Sequence, residues 1–400
     1  MTVIAADMQH RSITTDRQLA EYCRQLAQAD SIALDTEFVS EHTFRPVLCL
    51  VQVAASGEIA VIDAMAVEDV TPFWEAVTAE GHETVVHAGR SEMEFCLEAT
   101  GRWPERPFDV QLAAGLAGGE YPAGYNNLLA QLLGEKPRKH ETRTDWRRRP
   151  LSKRQIEYAI DDARYLPALR DTLHAKLEQL GRLAWLDEEM AAWREEVECA
   201  CSKDRWRRIP GISGLDRQSL AIVRELFYWR EGEAERRNRP VRRVLRDDLI
   251  VELARRKTAD QKRILAIRGL GRRDLRSRMP EIAARIRHTL DLPDDDRPAI
   301  IHRERTPRIS VLGQFLFSAL GSVCRRSQLA PNLVGTPNDI RDLIVYRTGG
   351  SKRERVPRLA QGWRAEFIGH LFDDLLAGKK SIRIEDPKSE HPLIFEPADS

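Results

Sequence analysis

The chain has 400 residues, of which 42% are hydrophobic and 31% charged, which is too long for one ordinary core and enough for two to four domains. With Lys+Arg at 63 against Asp+Glu at 62 the net charge is +1, so no whole-molecule field argues for or against a nucleic-acid partner, and local clustering decides instead. Six cysteines without paired spacing exclude a disulfide scaffold, and no apolar run approaches a membrane span.

The opening "MTVIAADMQHRS" lacks the order of a signal peptide, so a cytoplasmic location away from the membrane is expected. "SIALDTEF" (31–38), "LCLVQVAA" (48–55) and "EIAVIDA" (58–64) read as strands, followed by a helix near 68–79 and the strand "ETVVHAG" (83–89). Helices are predicted near 91–99, 110–117 and 125–134. This order predicts an α/β layer fold with a mixed sheet. "SKRQIEYAIDDARYLPALRDTLHAKLEQL" (152–180) predicts one long helix, opened by a capping box at Ser152 and Gln155, with Ile156, Ala159, Ala163, Leu166, Leu169 and Leu173 as its apolar stripe.

Beyond about residue 195 the strand signals fade. "QSLAIVRELFYWREGEAERRN" (218–238), "RDDLIVELARRK" (246–257) and "TADQKRILAIR" (258–268) predict amphipathic helices, and "DLPDDDRPAIIHRERTP" (291–307) predicts a linker. A third unit begins near Ile309, with helices in "VLGQFLFSALGSV" (311–323), after Thr336 and Pro337, and in "LAQGWRAEFIGHLFDDLLAG" (359–378). Arginine concentrates at 143–154, 203–208, 236–246 and 268–278. Cys199 and Cys201 have no second Cys/His pair nearby, and zinc is not expected there.

Three segments carry chemistry. Asp35 and Glu37 sit at i and i+2 in an apolar strand and share one face, where two anions repel unless a cation or a raised pKa neutralises them. A strand end reaching solvent is the plain alternative, and Glu196/Glu198 and Glu231/Glu233 repeat the spacing with nothing strand-like around them. "VVHAGRSEMEFC" (85–96) places Glu92 and Glu94 in a first helical turn, where acids also simply complement the dipole. "YAIDDARYL" (158–166) sets Tyr158 and Asp162 on one helical face, with Asp161 beside them, although Tyr158 also suits a partly buried core position. Together they supply four carboxylates and a phenol, a set suited to two hard divalent ions. Such a pair, roughly 4 Å apart, stabilises both the attacking and the leaving oxygen of a phosphoryl displacement.

The run of "LDTEF", "HAGRSEMEF", "FDVQLAAGLAG" and "TDWRRRPLSKRQIEYAIDDARYL" resembles ribonuclease D and the wider DEDD superfamily of 3′-to-5′ exonucleases, over about residues 15–185. Tyrosine four positions before the last aspartate matches the tyrosine subgroup; the histidine subgroup would have His where this chain has Glu157. The resemblance implies an RNase H-like exonuclease domain (1–195) with a mixed sheet flanked by helices. By it, Asp35, Glu37 and Asp162 hold the metal that activates water, Asp35 also touches a second ion, and Tyr158 orients the nucleophile. Glu92 stands where the family usually has aspartate, which leaves Glu94 open as an alternative ligand. Phe38 is expected against the terminal base and His87 along the cleft.

Residues 207–292 resemble the helical HRDC module that follows the catalytic domain in ribonuclease D. After a linker (293–308), residues 309–382 resemble its second, more divergent HRDC-like module; 383–400 form a tail with no interpretable pattern. The implied activity is metal-dependent 3′-5′ exoribonuclease trimming of structured RNA with a free 3′ end, such as tRNA precursors, releasing nucleoside 5′-monophosphates with two Mg2+ or Mn2+ ions. A monomer is expected. Two alternatives stay open at this point: a weakened RNA-binding scaffold, because of Glu92, and a DNA-directed 3′-5′ exonuclease.

Overall fold

Four apolar runs between residues 31 and 86, joined by two short charged strands, build a mixed six-stranded sheet. In this computed structural model, which describes residues 10–135, 144–200, 204–300, 311–348 and 356–398, the strands are β1 (His10–Ile13), β2 (Ser31–Val39), β3 (Val47–Ala55), β4 (Glu58–Asp63), β5 (Glu83–Val86) and β6 (Arg106–Asp109). Their order is β1-β4-β3-β2-β5-β6. β3 and β4 form an antiparallel hairpin closed by Ser56 and Gly57, both at positive φ, which matches the right-handed twist of the flanking strands. β1 pairs with β4, β2 with β5 and β5 with β6 in parallel. No sequence signal marks β1 and β6, because "HRSI" and "RPFD" are four residues long and carry charge in place of an apolar alternation.

Helices α1 (Asp16–Leu26), α2 (Thr71–Val77), α3 (Arg90–Thr100), α4 (Val110–Leu116) and α5 (Tyr125–Leu128) flank the sheet, and α5 continues as a π-turn over Leu129–Leu133. The single helix expected over 152–180 is in fact two, α6 (Lys153–Arg164) and α7 (Leu166–Leu180), with Tyr165 between them at φ −96°, ψ −4°. Pro167 is the reason: it has no N–H to donate, and its ring obstructs the carbonyl four residues earlier, that of Ala163. α8 (Leu183–Ala200) follows after Gly181, whose φ of 67° ends α7.

The chain forms two compact units. One joins the sheet and its helices up to 195 with the chain beyond 307; the other joins 196–306 with 38–48. In the first unit, helix Pro331–Val334 packs on α4, helix Val311–Arg326 packs on Pro331–Val334 and on Pro337–Thr348, and the Trp363 N–H donates to Glu188 of α8 at 2.9 Å. The Ala330 N–H donates to the Gly115 carbonyl at 3.0 Å, and Arg182 donates to the carbonyls of Leu116 and Gln328 at 2.7 Å each and to that of Ser327. Buried Glu189 accepts from Trp363 Nε1 at 2.8 Å, from Arg358 at 3.1 Å and from both terminal nitrogens of Arg364, while Trp185 stacks on Trp363 at 4.7 Å. The uninterpreted tail folds as an antiparallel hairpin of Lys380–Ile384 with Leu393–Pro397.

The second unit is built on α9 (Arg217–Arg236), which Asp216 caps by accepting from the Ser219 N–H at 2.8 Å. Around it lie helices Val241–Val244, Asp247–Arg256, Gln261–Leu265, Arg273–Arg276 and Met279–Leu290, sharing a core that includes Leu226, Ile250, Leu253, Ile264 and Ile282. Residues 301–308 of the expected linker, Ile309, Arg143, Lys203 and Cys201 lie outside the described residues.

Candidate active site

β2 carries Ile32, Ala33 and Leu34 into the core with no exposed surface, and the next two outward steps on one face are Asp35 and Glu37. α6 brings Asp162 to them from its last turn. That helix is fixed by a complete capping box, with the Gln155 N–H donating to Ser152 Oγ at 3.2 Å and the Ser152 N–H to Gln155 Oε1 at 2.9 Å, and by buried Ala159, Ile160 and Ala163. One carboxylate oxygen from each of Asp35, Glu37 and Asp162 lies within 4.8 Å of the others. Tyr158 donates its hydroxyl to Asp162, and the ring of Trp146 lies 6.1 Å away. Neighbouring Asp161 turns to Arg164 at 3.3 Å.

Glu92 reaches the site from α3. It is buried, accepts from Thr36 Oγ1 at 2.5 Å, and feels the charge of Asp35. Glu94 is exposed and pairs with Arg90 at 3.1 Å. α3 starts close against β5: a Cβ on Gly89 would meet Val86 Cγ2 at 2.4 Å, so only glycine fits there. The Gly89 N–H donates to Asp109 Oδ2 at 3.0 Å, while Asp109 Oδ1 caps α4 by accepting from Gln111 at 2.8 Å and Leu112 at 3.1 Å.

Every acid of this group is held above the usual carboxylate range. Burial, followed by the charges of Asp35, Asp162 and Glu92, pushes Glu37 up to about 9. Asp35 is raised by burial and by Asp162, Glu92 by burial and by Asp35, and Asp162 by burial, against the lowering bond from Tyr158. Among the described residues, no cationic side chain is a leading cause of the shift in any of the four. An oxygen-only donor set, crowded and lacking a positive partner of its own, fits a hard divalent cation.

The two remaining expected residues part ways. Strand alternation puts half-buried Phe38 on the face of Leu34 and Thr36, opposite the two acids. His87 donates from Nε2 to the Ala123 carbonyl at 2.9 Å and packs edge-on to Tyr125 at 5.5 Å. Sequence reasoning missed Tyr125, whose hydroxyl donates to the Asp161 carbonyl at 3.0 Å and whose pKa is raised by burial and by Asp162 and Asp35. It missed Thr36 and Asp109 as well; Asp109 before an apolar helical run carried a capping signal. Arg149, in a run that reads as a basic cluster, is a structural tie: it binds both oxygens of Asp63 at 2.6 Å and the Trp146 carbonyl at 2.7 Å.

Comparison with known proteins fits this geometry. A family described as 3′-5′ exonuclease matches residues 10–178, and the HRDC domain family matches 219–286. Ribonuclease D of Granulibacter bethesdensis is 34% identical over 362 residues, covering 89% of this chain and 90% of that protein. The chain belongs to the ribonuclease D family. Ribonuclease D of Zymomonas mobilis is 33% identical over 96% of this chain and 98% of its own. Among solved structures, Escherichia coli RNase D, an exoribonuclease involved in structured RNA processing, superposes with a TM-score of 0.80 at 28% identity, over 92% of this chain and 99% of that one. The protein is accordingly a 3′-5′ exoribonuclease with an RNase D-type, metal-dependent exonuclease domain and an HRDC helical domain. No helix among its described residues is long and apolar enough to cross a membrane.

Proposed function

We propose that this ribonuclease D relative removes nucleotides one at a time from the free 3′ end of structured RNA, tRNA precursors among them, at the acids of β2, α3 and α6. The observation that carries this reading is the meeting of Asp35, Glu37 and Asp162 within 4.8 Å, with no cationic side chain among the described residues as a leading influence on them. Asp35, Glu37, Glu92 and Asp162 would hold two divalent ions, Mg2+ or Mn2+, which when bound lower the pKa of water and stabilise charge on the phosphoryl group. Tyr158 stays protonated across the neutral range, because burial and the charge of Asp162 raise its pKa. It therefore orients water as a hydrogen-bond donor and does not act as a base. Water attacks the terminal phosphorus, the P–O3′ bond breaks, and a nucleoside 5′-monophosphate leaves a new 3′-hydroxyl on the shortened RNA. His87 belongs to this reading as a flank of the terminal nucleotide, whereas Phe38, on the face of β2 opposite Asp35 and Glu37, is not part of it.

The domain reading is a nuclease domain over 1–195, an HRDC module over 207–292 and a second HRDC-like module over 309–382, acting as a monomer in the cytoplasm. Free thiols at Cys23, Cys49, Cys96 and Cys324 support a reducing compartment. The test is a labelled RNA with a short 3′ overhang, incubated with magnesium or manganese. Stepwise shortening that Asp35→Ala abolishes is expected. Shortening that survives Asp35→Ala, or RNA binding without shortening in either metal, overturns the reading.

A further inference from the structure

The helical unit holds a second charged pocket, which the nuclease chemistry does not use. It is narrow, with a volume of about 10 Å³, and its wall includes Trp229, Glu233, Arg237, Arg239, Arg243 and Arg278. A space of that size admits one oxygen-sized atom. Four guanidinium groups thus stand around one carboxylate: Glu233 is 1% exposed and forms ion pairs with Arg236 and Arg237 and, at 3.2 Å, with Arg278, although its Oε1 accepts no hydrogen bond. Arg239 makes no side-chain hydrogen bond or ion pair among the described residues, and the Arg243 guanidinium meets only Nδ1 of His42 there, at 3.2 Å. The indole N–H of Trp229, a side chain 4% exposed, is buried without an acceptor. The wall is therefore rich in donors and short of acceptors, an arrangement that favours a small anionic acceptor atom.

The unpaired guanidinium also sits on a fixed turn. α9 ends with the Arg239 N–H donating to the Ala234 carbonyl at 2.9 Å, Asn238 adopts a φ of 46°, and Pro240 follows. The Asn238 side chain is held in turn by the Phe44 N–H at 3.1 Å. A phosphoryl group suits a space of this size, which admits one of its oxygens and leaves the others for the guanidinium groups of Arg239 and Arg243. We propose that this pocket is a phosphate-oxygen site that takes a non-bridging oxygen of a phosphodiester in the body of the bound RNA. Only the choice of RNA as the source rests on the exoribonuclease reading.

The test uses the full chain with 15N-labelled indoles in EDTA, where hydrolysis is silent, and the Trp229 Nε1–H resonance assigned by Trp229→Phe. Inorganic phosphate and a short oligoadenylate are titrated separately, and both are expected to move that resonance. Arg239→Gln is expected to weaken oligoadenylate binding several-fold and to reduce the slope of log K against log salt by about 0.7, the loss of one phosphate contact to a single strand. Hydrolysis of a dinucleotide with magnesium should be unchanged in the same variant. A resonance that neither ligand moves overturns the site. Movement with phosphate alone, or unchanged affinity and slope in Arg239→Gln, overturns RNA as its ligand. Failure of the exoribonuclease reading is seen separately, as no dinucleotide cleavage by the unsubstituted protein.

Discussion

Glu189 and Glu37 are acids of the same unit with opposite electrostatic fates. Burial alone would raise Glu189, but Arg364, Trp363 and Arg358 outweigh it and hold its carboxyl below the ordinary range. Around Glu37 burial acts in the same direction, and every further charge is another carboxylate, so its value climbs to about 9. A carboxylate that fastens two parts of the chain is neutralised by the chain itself. One that the proposed reading assigns to chemistry is left for a cation from solution, and the folded protein carries the cost.

The largest expected effect breaks the catalytic side of this contrast. Asp35→Asn should lower kcat by roughly 10³-fold or more, the loss of several kcal/mol of transition-state stabilisation, measured by single-turnover cleavage in magnesium. The structural side breaks next. Glu189→Ala leaves Arg364 buried without its carboxylate and should cost about 3–5 kcal/mol in urea unfolding, with little change in kcat for the protein that remains folded.

Proton binding sharpens the contrast further. Carboxyls raised in the folded state bind protons more tightly there than in the unfolded chain, whose values lie near 4. Their contribution to stability is therefore complete below about pH 4 and is lost as pH rises through the folded values near 7 to 9. In EDTA the Tm should fall from pH 6 to pH 9, by about 2–4 °C for each kcal/mol lost. Saturating magnesium should remove most of that fall, and Asp35→Asn should flatten it; a pH-independent Tm in EDTA would rule out the crowded carboxyls as its source. The smallest expected effect concerns Glu92, whose extra methylene accompanies its bond to Thr36. Glu92→Asp should raise the magnesium-supported rate by a few-fold, read from initial rates.

How far the sequence reveals this arrangement depends on how local each signal is. Asp35 and Glu37 stand out because they interrupt an apolar strand, and α6 because its capping box lies within four residues. The break at Tyr165 hides because Leu166, Leu169 and Leu173 continue the helical period straight across Pro167. Tyr125 and Asp109 act through backbone groups at Asp161 and Gly89, whose positions no side-chain pattern records. Arg149 reads as part of a basic run, yet its partner Asp63 lies 86 residues earlier. Glu189 and Arg364 each look like ordinary surface charges on amphipathic helices, and only the packing of the two segments makes them a buried pair.

That pair spans 175 residues of chain. During synthesis from the N-terminus, the strands and helices that carry Asp35, Glu92 and Asp162 emerge long before Arg364 does, and Trp185 and Glu189 wait uncovered in the meantime. The unit that holds these acids thus completes its packing only after the whole arginine-rich helical unit has left the ribosome.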